Sequence, residues 1–268
     1  MPVRAINHAG ITFTTWDSGD GTPVLFQHGL GGSHVAVTSV LGERPDYRLI
    51  SFDARAHGGT TPLGDPADLS FATFAADAIA VLDQLGVQQA IVGGMSMGAG
   101  IALTIAVNYP EHVRSLILVR PAWLDQPMPE NLAMFPAMAE LLRTHGVEEG
   151  MRRFHQTAWY REAAPFPSAS ASYDGEFTRP LALERSSVLD AIPADCPPSG
   201  SAVWGAIAVP TTVIATDRDP VHPLSYGQHL AAAIPGAVLH TPVSKWVDEP
   251  AHNAEIRRIV ETVVRANM

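Results

Sequence analysis

Two residue types are almost missing from this chain of 268 residues. It has one cysteine, Cys196, and one lysine, Lys245, while its other basic residues are arginines. A single cysteine cannot form a disulfide within the chain, so the fold does not depend on an oxidising compartment. No histidine stands near Cys196 in its loop, 195–198, to activate the thiol, and we interpret it as an incidental thiol.

Positive charge and long apolar runs are also scarce. The 17 basic residues stand against 27 acidic ones, which gives a formal net charge of −10. Nucleic acids and anionic membranes require basic patches, so we expect neither as a partner. No stretch approaches the ~20 apolar residues of a membrane helix, and residues 1–8 have no signal-peptide core. We expect a cytoplasmic protein, and a homodimer is compatible with the sequence.

The composition and periodicity indicate an α/β fold. Hydrophobic residues make up 46% of the chain and charged residues 16%, which is typical of a globular protein. Short β-rich runs alternate with helical patterns, which predicts a mostly parallel sheet of eight strands flanked by helices. The predicted strands are Val3–Ile6, Ile11–Thr15, Val24–Gln27, Arg48–Phe52, Ala90–Gly93, Ser115–Val119, Thr211–Thr216 and Val238–His240.

The alternation stops between Pro121 and about Gly205, where no β pattern occurs. We predict a helical cap inserted after the sixth strand, because an insertion there would lie over the crevice in which open α/β sheets bind ligands. The cap would comprise residues 122–204, and the core domain residues 1–121 and 205–268. The alternative is an ordinary run of crossover helices. Within the cap we predict helices at Glu130–Thr144, Val147–Tyr160 and Thr178–Ile192, with loops at Ala163–Ser172 and Pro193–Ser201.

The strongest motif lies where the fifth predicted strand ends. Gly94, Ser96 and Gly98 form Gly-x-Ser-x-Gly between an apolar strand and a small-residue helix. Such a sharp strand-to-helix turn strains the serine backbone and admits only glycine beside it. It holds the hydroxyl clear of the sheet at a helix N-terminus, whose dipole favours developing negative charge. We predict that Ser96 is a nucleophile.

A serine nucleophile needs a base and a carboxylate that orients the base. Among 11 histidines we choose His252, in the loop between the last strand and the C-terminal helix, with His240 as its rival. For the carboxylate we choose Asp219, at a turn before Pro220, while Asp217 braces the loop. A metal site formed by Asp217, Asp219 and His222 lacks a full ligand set, so we expect no metal.

An oxyanion formed on the substrate needs two N–H donors. Met97, directly after the nucleophile, can supply one of them, and Leu30, in the glycine-rich turn 28–32, can supply the other. This turn has neither the Gly-x-Gly-x-x-Gly spacing nor the lysine of a nucleotide-phosphate loop.

With Ser96, Asp219 and His252 in that order, the chain resembles the α/β-hydrolase superfamily. The segments His28–Gly29, 53–58 and 217–223 are similar to its oxyanion-turn, Asp-x-Arg-Gly-His-Gly and acid-loop motifs. Ala56, Thr216 and Ala251 stand where glycines are usual in that family. The resemblance implies an α/β-hydrolase fold and hydrolysis of an ester-like bond without a cofactor.

We therefore expect a serine hydrolase that cleaves an ester or lactone bond of a small, largely apolar substrate. His28 and Gly29 would contact the substrate, with Trp123 and Trp159 in the pocket wall. Arg120, at the end of a strand, would either grip a substrate carboxylate or form an internal salt bridge that anchors the cap. The alternatives are a cofactor-free haloperoxidase or perhydrolase, a C–C hydrolase or lyase using the same triad, and a non-catalytic small-molecule binder.

Overall fold

The computed structural model describes residues 2–268 and contains one eight-stranded sheet. The strands are β1 (Val3–His8), β2 (Ile11–Ser18), β3 (Thr22–Gln27), β4 (Tyr47–Phe52), β5 (Ala90–Met95), β6 (Val113–Val119), β7 (Thr211–Ile214) and β8 (Val238–His240). Their order in the sheet is β1-β2-β4-β3-β5-β6-β7-β8. Strand β2 is antiparallel to both of its neighbours, β1 and β4, whereas β3 to β8 are all parallel to one another. The prediction of an eight-stranded, mostly parallel sheet is therefore confirmed.

Helices cover both faces of the sheet because successive side chains of a buried strand point to opposite sides. The helices outside the insertion are α1 (His34–Leu41), α2 (Phe71–Gln84), α3 (Met97–Asn108), α9 (Leu224–Ala233) and α10 (Glu249–Ala266). In β3, Phe26 belongs to the core cluster that includes residues of α1 and α10, whereas Leu25 belongs to the cluster that includes residues of α2 and α3.

Between β6 and β7 the described chain contains helices and no strand, as the sequence pattern predicts. The helices are α4 (Met134–Phe154), α5 (Ala158–Ala163), α6 (Pro167–Thr178), α7 (Val188–Ala191) and α8 (Ser201–Gly205). Two details of the prediction are wrong. The predicted loop at Ala163–Ser172 contains the start of α6, and the predicted helix at Thr178–Ile192 is mostly a series of turns. Gly146, with φ of 72°, kinks α4 at the break between the predicted helices Glu130–Thr144 and Val147–Tyr160.

The parallel strands determine where functional groups can meet. The carboxyl ends of β3, β5, β6 and β7 are neighbours at one edge of the sheet. The segments that follow these strands therefore converge there, at the place where α/β sheets bind ligands. No helix among residues 2–268 has both the length and the apolar character needed to cross a membrane.

Candidate active site

Ser96 occupies a strained turn between β5 and α3. Its φ of 58° and ψ of −116° lie in a region that residues other than glycine rarely adopt. The flanking glycines are required by close backbone contacts: a Cβ at Gly94 would overlap the backbone of Gly98, and a Cβ at Gly98 would overlap the carbonyl of Gln27. The turn thus presents the serine side chain at the carboxyl edge of the sheet.

The imidazole against Ser96 belongs to His222 and not to His252. His222 Nε2 lies 2.9 Å from Ser96 Oγ, and its Nδ1 lies 2.9 Å from Asp219 Oδ2. Because Asp219 is ionised and accepts at Oδ2, Nδ1 is the protonated nitrogen of the neutral ring, and Nε2 is free to accept the serine proton. These three side chains have the connectivity of a nucleophile, a base and an orienting acid.

A tight turn explains how His222 reaches Asp219, only three residues earlier. The His222 amide donates to the Asp219 carbonyl oxygen at 3.1 Å and to its carboxylate Oδ1 at 3.2 Å. Asp at the first position and Pro220 at the second are preferred in turns of this kind. This local signal could have identified His222, which we considered above only as a possible metal ligand.

His252 does not reach the nucleophile, so its prediction as the base is corrected. It lies in the first turn of α10, almost fully buried, where its Nδ1 contacts the carbonyl oxygen of Val243 at 2.8 Å. Its Nε2 has no hydrogen-bond partner among the described residues. Burial, reinforced by the charge of Arg120, lowers the pKa of His252 to about 4. The ring is therefore a neutral packing group near the site.

The electrostatics suit Asp219 and His222 to acid and base roles. Burial raises the pKa of Asp219, but the paired His222 and the Arg120 guanidinium outweigh it and hold that pKa at about 2. Burial also lowers the pKa of His222, which keeps the ring neutral near pH 7. The His222 ring is thus unprotonated near pH 7 and the carboxylate beside it is charged, as a base and its orienting acid require.

The turn after β3 lies alongside the nucleophile. A Cβ added at Gly29 would stand 3.3 Å from Ser96 Cβ, so the glycine allows this close approach. Within residues 2–268, neither the Leu30 amide nor the Met97 amide donates to a protein acceptor. Met97 is the first residue of α3, whose N-terminal amides have no partner within the helix. Both amides are thus free, as an oxyanion site requires.

His28 holds this turn in place and does not line the cavity, contrary to our prediction. The Ala54 amide donates to its Nε2 at 3.0 Å, so Nδ1 carries the proton and donates to the Gly29 carbonyl oxygen at 2.8 Å. The ring is fully buried, and this burial lowers its pKa. His28 therefore connects the segment after β4 to the glycine-rich turn.

A cavity of about 300 Å³ opens onto Ser96 and His222. Its wall combines the turn after β3 with α4, α6 and the loop after β8. The side chains that line it include Leu30, Arg120, Phe135, Ala169, Tyr173, Glu176, Val221, Lys245 and Trp246.

Of the other predicted pocket residues, Arg120 lines the cavity and the two tryptophans do not. Trp123 is buried and packs edge-on against Phe71 at 5.0 Å, outside the cavity, and Trp159 also lies outside it, against the core. Arg120 lines the cavity, but its Nη1 donates to Asp219 Oδ2 at 3.4 Å. The structure therefore shows Arg120 in an internal salt bridge, as the second predicted role requires, but its partner is Asp219 of the core and not a residue of the cap.

Glu176 and Arg179 form a buried charged pair beside the cavity. Arg179 Nη1 lies 2.7 Å from Glu176 Oε2, and both side chains are nearly buried. Burial raises the pKa of Glu176 to about 7, although Arg179 opposes the shift. No group of three or more His, Cys, Asp or Glu side chains that could hold a metal ion occurs in residues 2–268.

Comparison with known proteins agrees with the observed fold. The sequence model of the alpha/beta hydrolase fold family matches residues 22–247. The chain is 29% identical to 2-hydroxymuconate semialdehyde hydrolase from Pseudomonas sp. (strain CF600), over 88% of this chain and 84% of the relative. It is 26% identical to 3-oxoadipate enol-lactonase 2 from Acinetobacter baylyi, over 95% and 93%. The enol-lactonase structure from Burkholderia xenovorans LB400 superposes with a TM-score of 0.75 at 20% identity, covering 97% of this chain and 99% of that one.

Proposed function

The chain belongs to the α/β-hydrolase family, and we propose that it is a serine hydrolase of a small, largely apolar ester or lactone. The observation that carries the proposal is the continuous contact from Ser96 Oγ through the His222 ring to Asp219, with both distances at 2.9 Å. The small cavity with its Leu30, Phe135 and Trp246 walls supports a compact apolar substrate.

In the first half of the proposed reaction, Ser96 Oγ attacks the substrate carbonyl while His222 Nε2 accepts its proton. Asp219 stabilises the resulting imidazolium, and the amides of Leu30 and Met97 stabilise the oxyanion. One such donor is typically worth ~2.7–4 kcal/mol of transition-state stabilisation. His222 then gives the proton to the leaving alkoxide, which departs and leaves an acyl-enzyme on Ser96.

In the second half, His222 removes a proton from water, which attacks the acyl-enzyme carbonyl. Collapse of the second tetrahedral intermediate breaks the bond to Ser96 Oγ, and His222 returns the proton to that oxygen. In a lactone, the alkoxide remains attached to the acyl group, so one open-chain hydroxy acid is released.

The test compares hydrolysis of p-nitrophenyl acetate and labelling by a fluorophosphonate probe in four proteins. Ser96→Ala and His222→Ala are expected to lose at least ~10³-fold in kcat, because triad members act as a unit. His252→Gln is the matched control and is expected to retain activity in its folded fraction. Absence of probe on Ser96 in the wild type would favour a non-catalytic binder. Loss of activity in His252→Gln but not in His222→Ala would reassign the base.

A further inference from the structure

Trp246, in the loop after β8, borders both the cavity at Ser96 and a second cleft. The second cleft has a volume of about 550 Å³ and lies on the other side of the acid turn. Trp246 lines both spaces, whereas His222 lines only the first and Asp219 only the second. The indole and the Asp219–His222 turn therefore form one wall between them.

The indole is held in this wall by contacts on several sides. Its ring centroid lies 5.7 Å from that of Phe166 and 6.4 Å from that of Tyr173, at the two ends of the cap segment 166–173. The Trp246 amide donates to Ser244 Oγ at 3.2 Å. Only 9% of the residue is exposed, so it is a packed partition and not a mobile surface side chain.

The backbone around Trp246 is tied to both neighbouring segments. Ser168 Oγ of α6 donates to the carbonyl oxygen of Lys245 at 2.9 Å, and Ser244 Oγ donates to that of Arg218 at 3.4 Å. The loop is thus fastened to the cap on one side and to the acid loop on the other. It cannot move aside for a longer substrate without breaking these contacts.

The second cleft offers apolar surface to a chain that could enter it. Phe166, Pro220, Pro223 and Leu224 line it together with the Trp246 ring. Burial of methylene groups is favourable, so an aliphatic chain would gain affinity there if the wall were open.

We propose that Trp246 is a specificity-determining residue that limits the substrate to a short chain on one side of the scissile bond. The substrate class is a short-chain ester, and the excluded class is a medium-chain aliphatic ester. The inference rests on the proposed function, since it describes selection at the same serine.

The experiment measures kcat/KM for two series of esters. In one, p-nitrophenyl acetate, butanoate and octanoate vary the acyl chain; in the other, ethyl, butyl and octyl acetate vary the alcohol. In one of the two series, the wild-type kcat/KM for the ester with the eight-carbon chain is expected to be at least about tenfold lower than that for the ester with the four-carbon chain. A pocket of limited size typically discriminates to this extent. Trp246→Ala is expected to raise the ratio of eight- to four-carbon rates in that series by about tenfold or more.

Leu224→Ala is the matched control, because it enlarges the second cleft without opening the wall. Its chain-length ratios are expected to equal those of the wild type. Trp246→Leu provides a smaller opening if the alanine variant is poorly folded, and it is expected to shift the ratio in the same direction.

Two results would overturn the inference in different ways. If the wild type hydrolyses short esters and neither Trp246 variant changes either ratio, the wall does not set specificity, and the proposed function still stands. If the wild type hydrolyses none of the esters and its Ser96 is not labelled, the inference fails together with the proposed function.

Discussion

The acid and the base of the proposed triad share one four-residue turn, from Asp219 to His222. Their relative position is set by two local hydrogen bonds from the His222 amide and by the Nδ1 contact at 2.9 Å. Only the contact between His222 and Ser96 depends on how β5 and β7 pack. The orientation of the base is therefore largely a local property of residues 219–222.

Arg120 adds a charge to this unit, because its guanidinium contacts the Asp219 oxygen that also meets His222. The charges of Arg120 and Lys245 lower the pKa of His222, whereas Asp219 raises it. In Arg120→Met we therefore expect the pKa of His222 to rise and the acidic limb of the kcat/KM profile to move to higher pH. For the wild type this limb is expected below pH 6.5, since burial lowers the pKa of His222.

Arg120→Lys is the control for that experiment, because it retains the positive charge beside Asp219. Its acidic limb is expected to stay closer to that of the wild type. A limb that does not move in Arg120→Met would show that the guanidinium has no influence on the base.

At the scale of residues, the members of the candidate site that have a local signature could be selected from the sequence. Ser96 stands in a five-residue motif, and Asp219 stands in the loop after β7, directly before Pro220. The histidine was selected among 11 candidates by its expected place after the last strand, and this choice was wrong. Such a long-range choice depends on side-chain packing, which the sequence pattern does not show, whereas the turn that brings His222 to Asp219 is local.

At the scale of elements, the strands were easier to predict than the helices of the insertion. Each predicted strand overlaps an observed one, because a buried strand is a short apolar run between turn residues. Helix α6 was missed because its serines and alanines resemble a loop. Its buried residues Ala169, Tyr173, Glu176 and Phe177 nevertheless follow helical spacing, and Pro167 stands in its first turn, where proline is tolerated.

The close approach of α3 to β3 gives a prediction at this scale. A Cβ at Gly98 would collide with the backbone carbonyl of Gln27, and a backbone atom cannot rotate away as a side chain can. Gly98→Ala is therefore expected to lower the free energy of unfolding by about 1–3 kcal/mol or more, as overpacking does. It should also reduce kcat by displacing the Ser96 turn. Urea unfolding and p-nitrophenyl acetate hydrolysis measure the two effects.

Gly175→Ala is the matched stability control, since a Cβ at this helical position of α6 would meet no atom within 4 Å. Replacing a helical glycine by alanine typically stabilises by about 0.5–1 kcal/mol. If Gly98→Ala were as stable as Gly175→Ala, the contact between α3 and β3 would not be as tight as the structure shows.

At the scale of the whole molecule, the sheet order explains why the candidate site forms. The segments after β3, β5, β6 and β7 provide the glycine-rich turn, Ser96, Arg120 and the Asp219–His222 turn, and these strands are consecutive in the sheet. This convergence could be predicted from the pattern of strands and helices. The cavity wall contributed by α6 and by the loop after β8 could not, because it depends on how the insertion packs.

The buried histidines make stability depend on pH. Burial lowers the pKa of His28, His57, His222 and His252, so the unfolded chain binds more protons than the folded chain below pH 6.5. Their contribution to stability is present above pH 6.5 and is lost as the pH falls through the folded values. For His252 the folded pKa is about 4, which corresponds to at most about 3 kcal/mol.

Glu176 acts in the opposite direction over the same pH range. Its pKa rises from 4.5 to about 7 on folding, so its ionisation destabilises the folded state as the pH increases from 4.5 to 7. On acidification, the free energy of unfolding of the wild type therefore falls by less than the histidines alone would lower it. With four histidines against one glutamate, we expect the net free energy of unfolding to be lower at pH 5 than at pH 7.

Glu176→Gln removes this compensation and gives the last prediction. The fall in the free energy of unfolding between pH 7 and pH 5, measured with urea, is expected to be larger in Glu176→Gln than in the wild type by about 2 kcal/mol. Glu162→Gln is the control, because it removes one negative charge as well but at an exposed position. It is expected to leave the fall in the free energy of unfolding unchanged. Equal falls in Glu176→Gln and the wild type would mean that Glu176 ionises in the folded protein as it does in water, because only a raised pKa produces this difference.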